Sequence, residues 1–376
     1  MMRPKGMQPT PCQQQQAGQQ RVKREVFNGA WAANSVVTVQ MPRNYDAETI
    51  YVTITGTVNY PAALVAACVR NDCPFGLFSR VELIAEGRQT LFSVPGYVLG
   101  MSNVRRHRRA VYRERVETYN SQQSYPLAYV SPTSAMTISS SQTFSGTLAI
   151  DLQNIAGVRP KDTNLRTGGL QTLDLKLTIA DLPSLFYSAA SSVTPFAVPL
   201  TTSLPALTNY TMTPGTLIVG LSELQEMRNA DGRISTPTFV QRWSHADYNI
   251  TAVQNDFPML LPTDNFIGAV FLTTKQTGES INGIATRFKL QRGVDVRYNL
   301  TSVLQQSLGN TDYDWSLPPG HFMLDLMGSG APSLKIADAW NAQGGADTRC
   351  FIDTAVGNAN VNVGLTVVEY LPLRGA

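Results

Sequence analysis

ETIYVTITGT, Glu48 to Thr57, sets Ile50, Val52 and Ile54 on one side and Tyr51, Thr53 and Thr55 on the other. Alternation with period two among β-branched residues marks a half-buried β-strand. The phrase returns in the second half of the chain with its neighbours in the same order. Met41-Pro42 and Glu48–Thr57 answer to Leu261-Pro262 and NFIGAVFLTT, Asn265 to Thr274. SRVELIAEG (Ser79–Gly87) answers to TRFKLQRG (Thr286–Gly293), and SGTLAIDL (Ser145–Leu152) to PGHFMLDL (Pro319–Leu326). Last, TGGLQTLDLKLTI (Thr167–Ile179) meets QGGADTRCFIDT (Gln343–Thr354). Single apolar runs match by chance, but four in the same order do not. A repeat this long is a duplicated domain, not a solenoid unit of about 20 to 50 residues.

Each half also carries one helix signal at the same place. Ser93 and Pro95 read as an N-cap and first-turn proline ahead of Val98 and Leu99. Leu300, Val303, Leu304 and Leu308 have helical spacing closed by Gly309-Asn310. The spacing predicts short helices over residues 93–104 and 299–308. Alternation resumes through Leu148, Ile150 and Leu152, then Leu173, Leu175, Leu177 and Ile179, and ends in VNVGLTVVEYLPL, Val361 to Leu373. The helices that an all-parallel α/β sheet needs between its strands are missing. The pattern is all-β: two tandem eight-stranded antiparallel jelly rolls with one short helix inserted in each.

The 376 residues suit two domains. Charged residues are 15% of the chain, against about 25% in ordinary globular proteins, which suits lateral surfaces covered by neighbours. Seven of the first twenty residues are Gln, with Arg3, Lys5, Arg21, Lys23 and Arg24 around them. Such composition buries too little apolar area to offset ordering entropy. Residues 1–33 are therefore expected to be a Gln-rich basic arm and 34–187 the first jelly roll. Residues 188–214, rich in Ser, Thr and Pro, are expected to form the connection, and 215–376 the second roll. The basic N-terminus lacks the apolar region of a secretory signal. Cys12, Cys68, Cys73 and Cys350 form no disulfide or zinc framework and read as reduced thiols of a protein made inside a cell.

An enzyme is not expected. His107, His245 and His321 are far apart, and no nucleophile elbow, phosphate loop or dinucleotide fingerprint occurs. Glu223 with Glu226, or Asp312 with Asp314, could be nominated as a glycosidase pair, but polar loops supply such pairs routinely. No metal or cofactor is called for. Trp31, Trp243, Trp315 and Trp340 are scattered as core or interface residues. The alternative reading is a binding module, a lectin-like tandem β-sandwich or a receptor-binding spike.

Charge placement is the strongest functional signal. Arg105, Arg106, Arg108, Arg109, Arg113 and Arg115, offset only by Glu114, give +5 over eleven residues. The arm to Glu25 gives +4, so the remainder of a chain with net charge +3 carries −6. Such runs repel themselves unless phosphates, lipid headgroups or a subunit's carboxylates meet them.

The basic Gln-rich arm, the two tandem rolls, the paired helices and the Ser/Thr/Pro connection together resemble the double jelly-roll major capsid proteins of the tectivirus–adenovirus lineage. These build tailless, often membrane-containing icosahedral phages and related viruses. The resemblance implies a homotrimer whose six rolls form a pseudo-hexagonal capsomer of a virion shell. It also implies contacts with neighbouring capsomers and with minor and vertex capsid proteins, and an inner face toward a lipid membrane or the genome.

Overall fold

The stretch Glu48–Thr57 lies in a 14-residue strand in which Ile50, Val52 and Ile54 are wholly buried and Tyr51, Thr53 and Thr55 half-buried. The computed structural model describes residues 21–59, 67–69, 75–107, 141–152, 165–181, 186–188, 211–225, 239–276, 279–280, 282–313, 320–327, 339–343, 347–357 and 360–372. The first roll holds β1 (Arg21–Ala30), β2 (Ser35–Gln40), β3 (Asp46–Asn59), β4 (Ala67–Val69), β5 (Phe78–Ala85) and β6 (Gln89–Val94). It continues with helix α1 (Gly96–His107), β7 (Ser141–Asp151), β8 (Leu173–Ile179), β9 (Phe186–Ser188) and β10 (Thr211–Leu224). The second roll holds β11 (Phe239–Asn249), β12 (Phe257–Leu260), β13 (Phe266–Gln276), β14 (Glu279–Ser280), β15 (Ala285–Arg292) and β16 (Asp295–Thr301). Helix α2 (Ser302–Tyr313), β17 (His321–Asp325), β18 (Trp340–Asn341), β19 (Thr348–Thr354) and β20 (Val361–Pro372) complete it.

Among the described residues, setting aside the short β4, β9, β14 and β18, each roll shows eight strands in one topology. The first roll orders β1-β10-β3-β7 in one sheet and β2-β8-β5-β6 in the other. The second orders β11-β20-β13-β17 and β12-β19-β15-β16. In both rolls this is first-eighth-third-sixth facing second-seventh-fourth-fifth, the two Greek keys of a jelly roll. Pairing within each roll is antiparallel.

The four sequence pairs fall on the third, fourth, sixth and seventh strands of the two rolls. The third strands also share a β-bulge, at Glu48 between Ala47 and Thr49 and at Gly268 between Ile267 and Ala269. These bulges are 220 residues apart, as are Met41-Pro42 and Leu261-Pro262. The direct match of Glu48–Thr57 with Asn265–Thr274 is three residues out of step, an odd slip that would exchange the faces of the strand. Met41 and Leu261 make the same stitch, each donating its N–H to the seventh-strand region, at Leu173 O (2.8 Å) and Thr348 O (3.3 Å). Glu86 and Gly87, both with positive φ, turn the fourth strand of the first roll into the fifth.

Three boundaries differ from the sequence expectation. Arg21–Ala30 is the first strand of the first roll, paired with β10, so it lies inside the sandwich and not in an arm. Its exposed Arg21, Lys23 and Glu25 alternate with half-buried Val22, Arg24 and Val26, and the charges mask the alternation. Thr211–Leu224 is the eighth strand of the first roll, between β1 and β3. The Ser/Thr/Pro stretch therefore leads back into the first roll, and the passage between rolls falls between Leu224 and Phe239. The helices start later than the spacing predicts. Ser93 lies inside β6, where its hydroxyl accepts from Arg80 Nε (2.7 Å), and Val94, preceding Pro95, stays extended. In α2 the cap is Thr301, whose Oγ1 accepts the Leu304 N–H at 3.3 Å.

Each sandwich closes its own core. In the first, Ile50, Val52, Leu148, Leu217 and Val219 face Val81, Leu83, Leu175 and Leu177. In the second, Val270, Leu272, Leu324 and Val363 face Phe288, Leu290, Cys350 and Ile352. Burial pushes the Cys350 thiol far above its ordinary range, so it is an inert apolar filler. Leu217→Ala should cost about 2–5 kcal/mol of unfolding free energy, the range for a buried large-to-small change. A denaturant titration checks this, and a loss within about 0.5 kcal/mol would return Thr211–Leu224 to a surface connection.

Candidate functional site

The two rolls are joined edge to edge. Fifth strand β6 of the first pairs in parallel with first strand β11 of the second, at Trp243 and Phe92, making one sheet continuous across both. Beside this bridge, α1 lays Tyr97 on the outer face of the second roll. Its ring stands edge-on to His321 with centroids 5.7 Å apart, and the Lys275 ammonium lies 4.1 Å from its centroid. Burial raises the Tyr97 hydroxyl above its usual value, and Lys275 offsets part of that rise. Trp243 stacks on Phe271 at 5.8 Å, and these two with Ala269, Met323 and Val368 belong to the first roll's apolar cluster. In β20, β13 and β17 the outer face is thus as dry as the inner face. The eight consecutive residues Val363–Tyr370 of β20 are all buried.

At the rim of the joint, His245 Nδ1 lies 2.7 Å from Thr366 Oγ1, and its Nε2 lies 3.3 Å from Asp247. The hydrogen bond to His245 holds the Asp247 carboxyl below its ordinary value.

A second shared feature lies beside the bulges. Glu223 and Glu369, both on eighth strands, face Ala47 and Ile267, the residues just before the bulges. Their side chains are 0% and 2% exposed. Each is met by an arginine of the first strand, Arg24 at 2.6 Å and Arg242 at 3.5 Å. Asn265 Nδ2 adds a hydrogen bond to Glu369. Desolvation dominates at both, so both carboxyls are raised, with the arginines pulling the other way. The bulged Glu48 is a third buried carboxylate, held bidentately by Arg21 (2.7 and 2.5 Å) and by the Ser222 hydroxyl (2.8 Å).

Arg21 and Arg24, expected to meet an anionic partner, therefore spend their charge on carboxylates of their own roll. Lys23 stays on the outer side, 6.0 Å from the Tyr51 ring centroid. Arg105 and Arg106 lie in the last turn of α1. Arg3, Lys5, Arg108, Arg109, Arg113 and Arg115 lie outside the described residues, as do Glu226, Asp314 and Trp315. Glu223, nominated for an acid–base pair, is sealed in the sheet. Trp31, Trp243 and Trp340 are buried, not displayed on loops. Of the joint residues, the sequence marks Trp243 only as a core or interface residue and does not single out Tyr97 or Phe271. The one available signal was that the two helices sit at equivalent places.

No protein-family model and no curated protein matches the sequence. Solved structures do match, over nearly the whole chain. The major capsid protein of Sulfolobus turreted icosahedral virus superposes with TM-score 0.65 at 14% identity, over 94% of this chain and 97% of that one. The major capsid protein P2 of bacteriophage PM2 gives 0.56 at 11%, over 95% and 100%. The Faustovirus major capsid protein gives 0.52 at 8%, over 94% and 89%. The chain has the double jelly-roll fold of viral major capsid proteins. Agreement in length on both sides means that neither roll, nor the joint between them, is left over.

Glu223 and Glu369 carry a test with a definite sign. A carboxyl raised in the folded state contributes stability below its unfolded value, about 4.3, and loses it as pH rises through the folded value. The stability of the native chain relative to Glu223→Gln/Glu369→Gln should therefore fall as pH rises above about 4.3. Urea titrations across that range check it, and a relative stability that rises with pH would reverse the assignment.

Proposed function

We propose that this chain is the major capsid protein of an icosahedral virus. Three copies would form a pseudo-hexagonal capsomer, and the capsomers would form the virion shell. The observation that carries this reading is the duplication: two rolls of one topology, joined asymmetrically, in a chain matched end to end by major capsid proteins. A three-fold assembly of single rolls offers three lobes, whereas three duplicated chains offer six similar ones, the number a hexagonal lattice needs. Contacts between such tiles close through curvature of the lattice. Low overall charge suits sides that are covered in the particle.

The partners follow from the same reading: other copies of the chain, minor and vertex capsid proteins, and an internal membrane or genome at the inner face. Synthesis would be in the host cytoplasm and the site of action the virion. The role is structural, without catalysis. The basic residues Arg3 and Lys5 and the run Arg105–Arg115 are assigned to anionic surfaces of the particle interior or of a neighbouring capsomer.

Sedimentation equilibrium should give a mass of three chains at micromolar concentration, with more than about 2,000 Å² buried as in obligate interfaces. A stable monomer would overturn the proposal. Replacing Arg105, Arg106, Arg108 and Arg109 by Gln should leave the trimer folded and reduce shell assembly seen by electron microscopy. Salt should mimic the substitution, since charges beyond about 8 Å are screened at physiological ionic strength. Assembly unchanged at every salt concentration would make the run a solvated segment.

A further inference from the structure

The joint within the chain is heterologous: a fifth strand and helix on one side, a first strand and outer sheet face on the other. The second roll owns another copy of the donor half and the first roll another copy of the acceptor half. Neither meets its mate within the chain. The ladders align the donors residue by residue. Both break register at the same place, between Leu83 and Ile84 and between Leu290 and Gln291, and Leu83 faces Phe92 as Leu290 faces Tyr298. Counting onward, the helix starts Gly96 and Ser302 coincide, Tyr97 matches Val303, and Val98 matches Leu304. Tyr97 and Val98 are 5% and 1% exposed, whereas Val303 and Leu304 are 72% and 46% exposed. The duplicated helix thus shows water an aliphatic pair at positions that its twin seals.

The acceptor halves align through Glu223 opposite Ala47 and Glu369 opposite Ile267. From there Phe271 matches Tyr51, His321 matches Thr147 and Trp243 matches Lys23. Where Trp243 stacks on Phe271, Lys23 leans over Tyr51. The receiving face in the first roll carries Tyr51, Thr53 and Thr147, and the two threonine hydroxyls share one hydrogen bond at 2.9 Å. An aliphatic ridge set on such a face leaves both hydroxyl oxygens in their shared bond and a single hydroxyl hydrogen to find a partner. Strands β1 and β16 both end their sheets among the described residues, each with one side open for pairing.

We propose that β16 and α2 of one copy dock on β1 and the outer face of the first roll of a second copy. The contact repeats the joint inside the chain, with Tyr298 opposite Lys23 in parallel pairing and Val303, in the place of Tyr97, over Thr53 and Thr147 with Leu304 beside it. The second copy is the trimer neighbour of the capsid reading, on which this inference rests. Repeating one heterologous joint turns a two-roll chain into a ring of alternating rolls.

The test uses the full-length protein. Val303→Glu/Leu304→Glu changes two exposed side chains, so the chain should fold as before by circular dichroism. Its trimer dissociation constant should rise at least about a hundredfold, as for loss of central interface contacts. Independently, a chain carrying Lys23→Cys and Tyr298→Cys should form disulfide-linked dimers and trimers on mild oxidation, and neither single variant should. A wild-type trimer that gives no such link and survives the glutamates overturns the joint and leaves the trimer standing. The link appearing in open chains, or in rings of another size, supports the joint and overturns the trimer. A wild type that stays monomeric overturns both.

Discussion

Everything in this molecule is arranged around one edge contact, the parallel bridge from β6 to β11 with Tyr97 pressed beside it. A jelly roll alone leaves the outer faces of both sheets to water and its edge strands unpaired. Here the first strand of the second roll finds a partner in the fifth strand of the first, and a ten-stranded sheet runs through both. The consequence is visible in β13 and β20, which are buried on both faces, while their counterparts β3 and β10 keep a half-exposed outer face. The rolls are copies in topology and opposites in dress: one outer sheet face is apolar and covered, the other threonine-rich and half-exposed.

The electrostatics follow the same duplication. Both rolls hold a carboxylate on the eighth strand just beside the third-strand bulge, and both answer it with an arginine from the first strand. A buried pair of this kind adds little net stability, because desolvation offsets the attraction, but removing one partner strands a charge. Such a pair therefore ties the first strand to the eighth in a particular register. In the first roll that tie fastens the sheet's terminal strand, β1, the element that carries Lys23 outward. The first roll adds a second tie, Arg21 on the bulged Glu48, where the second roll has Gly268 packed against Tyr370 and Met327.

Much of the fold was legible in the sequence because β-sandwich physics writes itself as alternation. The third, fourth, sixth and seventh strands of each roll were readable from Ile50 to Ile54, Val81 to Leu83, Leu148 to Leu152 and Leu173 to Ile179, and from their repeats. What stayed hidden has physical reasons. In β1 the alternating positions are filled by Arg21, Lys23 and Glu25, so composition suggested a tail where the backbone makes a strand. In β10, Pro214-Gly215 falls at a register break, and the prolines ahead of it looked like a linker. Glu48, Glu223 and Glu369 look like surface charges in a sequence, since only the sheet shows that each sits in a dry seam. The joint was the least legible feature. Tyr97, Trp243 and Phe271 meet only after both rolls are folded, and nothing in their local sequence separates them from ordinary core residues.

On the proposed joint, one asymmetric contact used once within the chain is used again between chains. The most direct measurement is a cryo-electron-microscopy map of the isolated capsomer computed without imposed symmetry. Six lobes are expected in a closed ring, each meeting the next through a fifth strand and its helix on a first strand and its outer sheet face. Contact between chains through the β2 or β14 edges, or an isologous pair related by a two-fold axis, would contradict it.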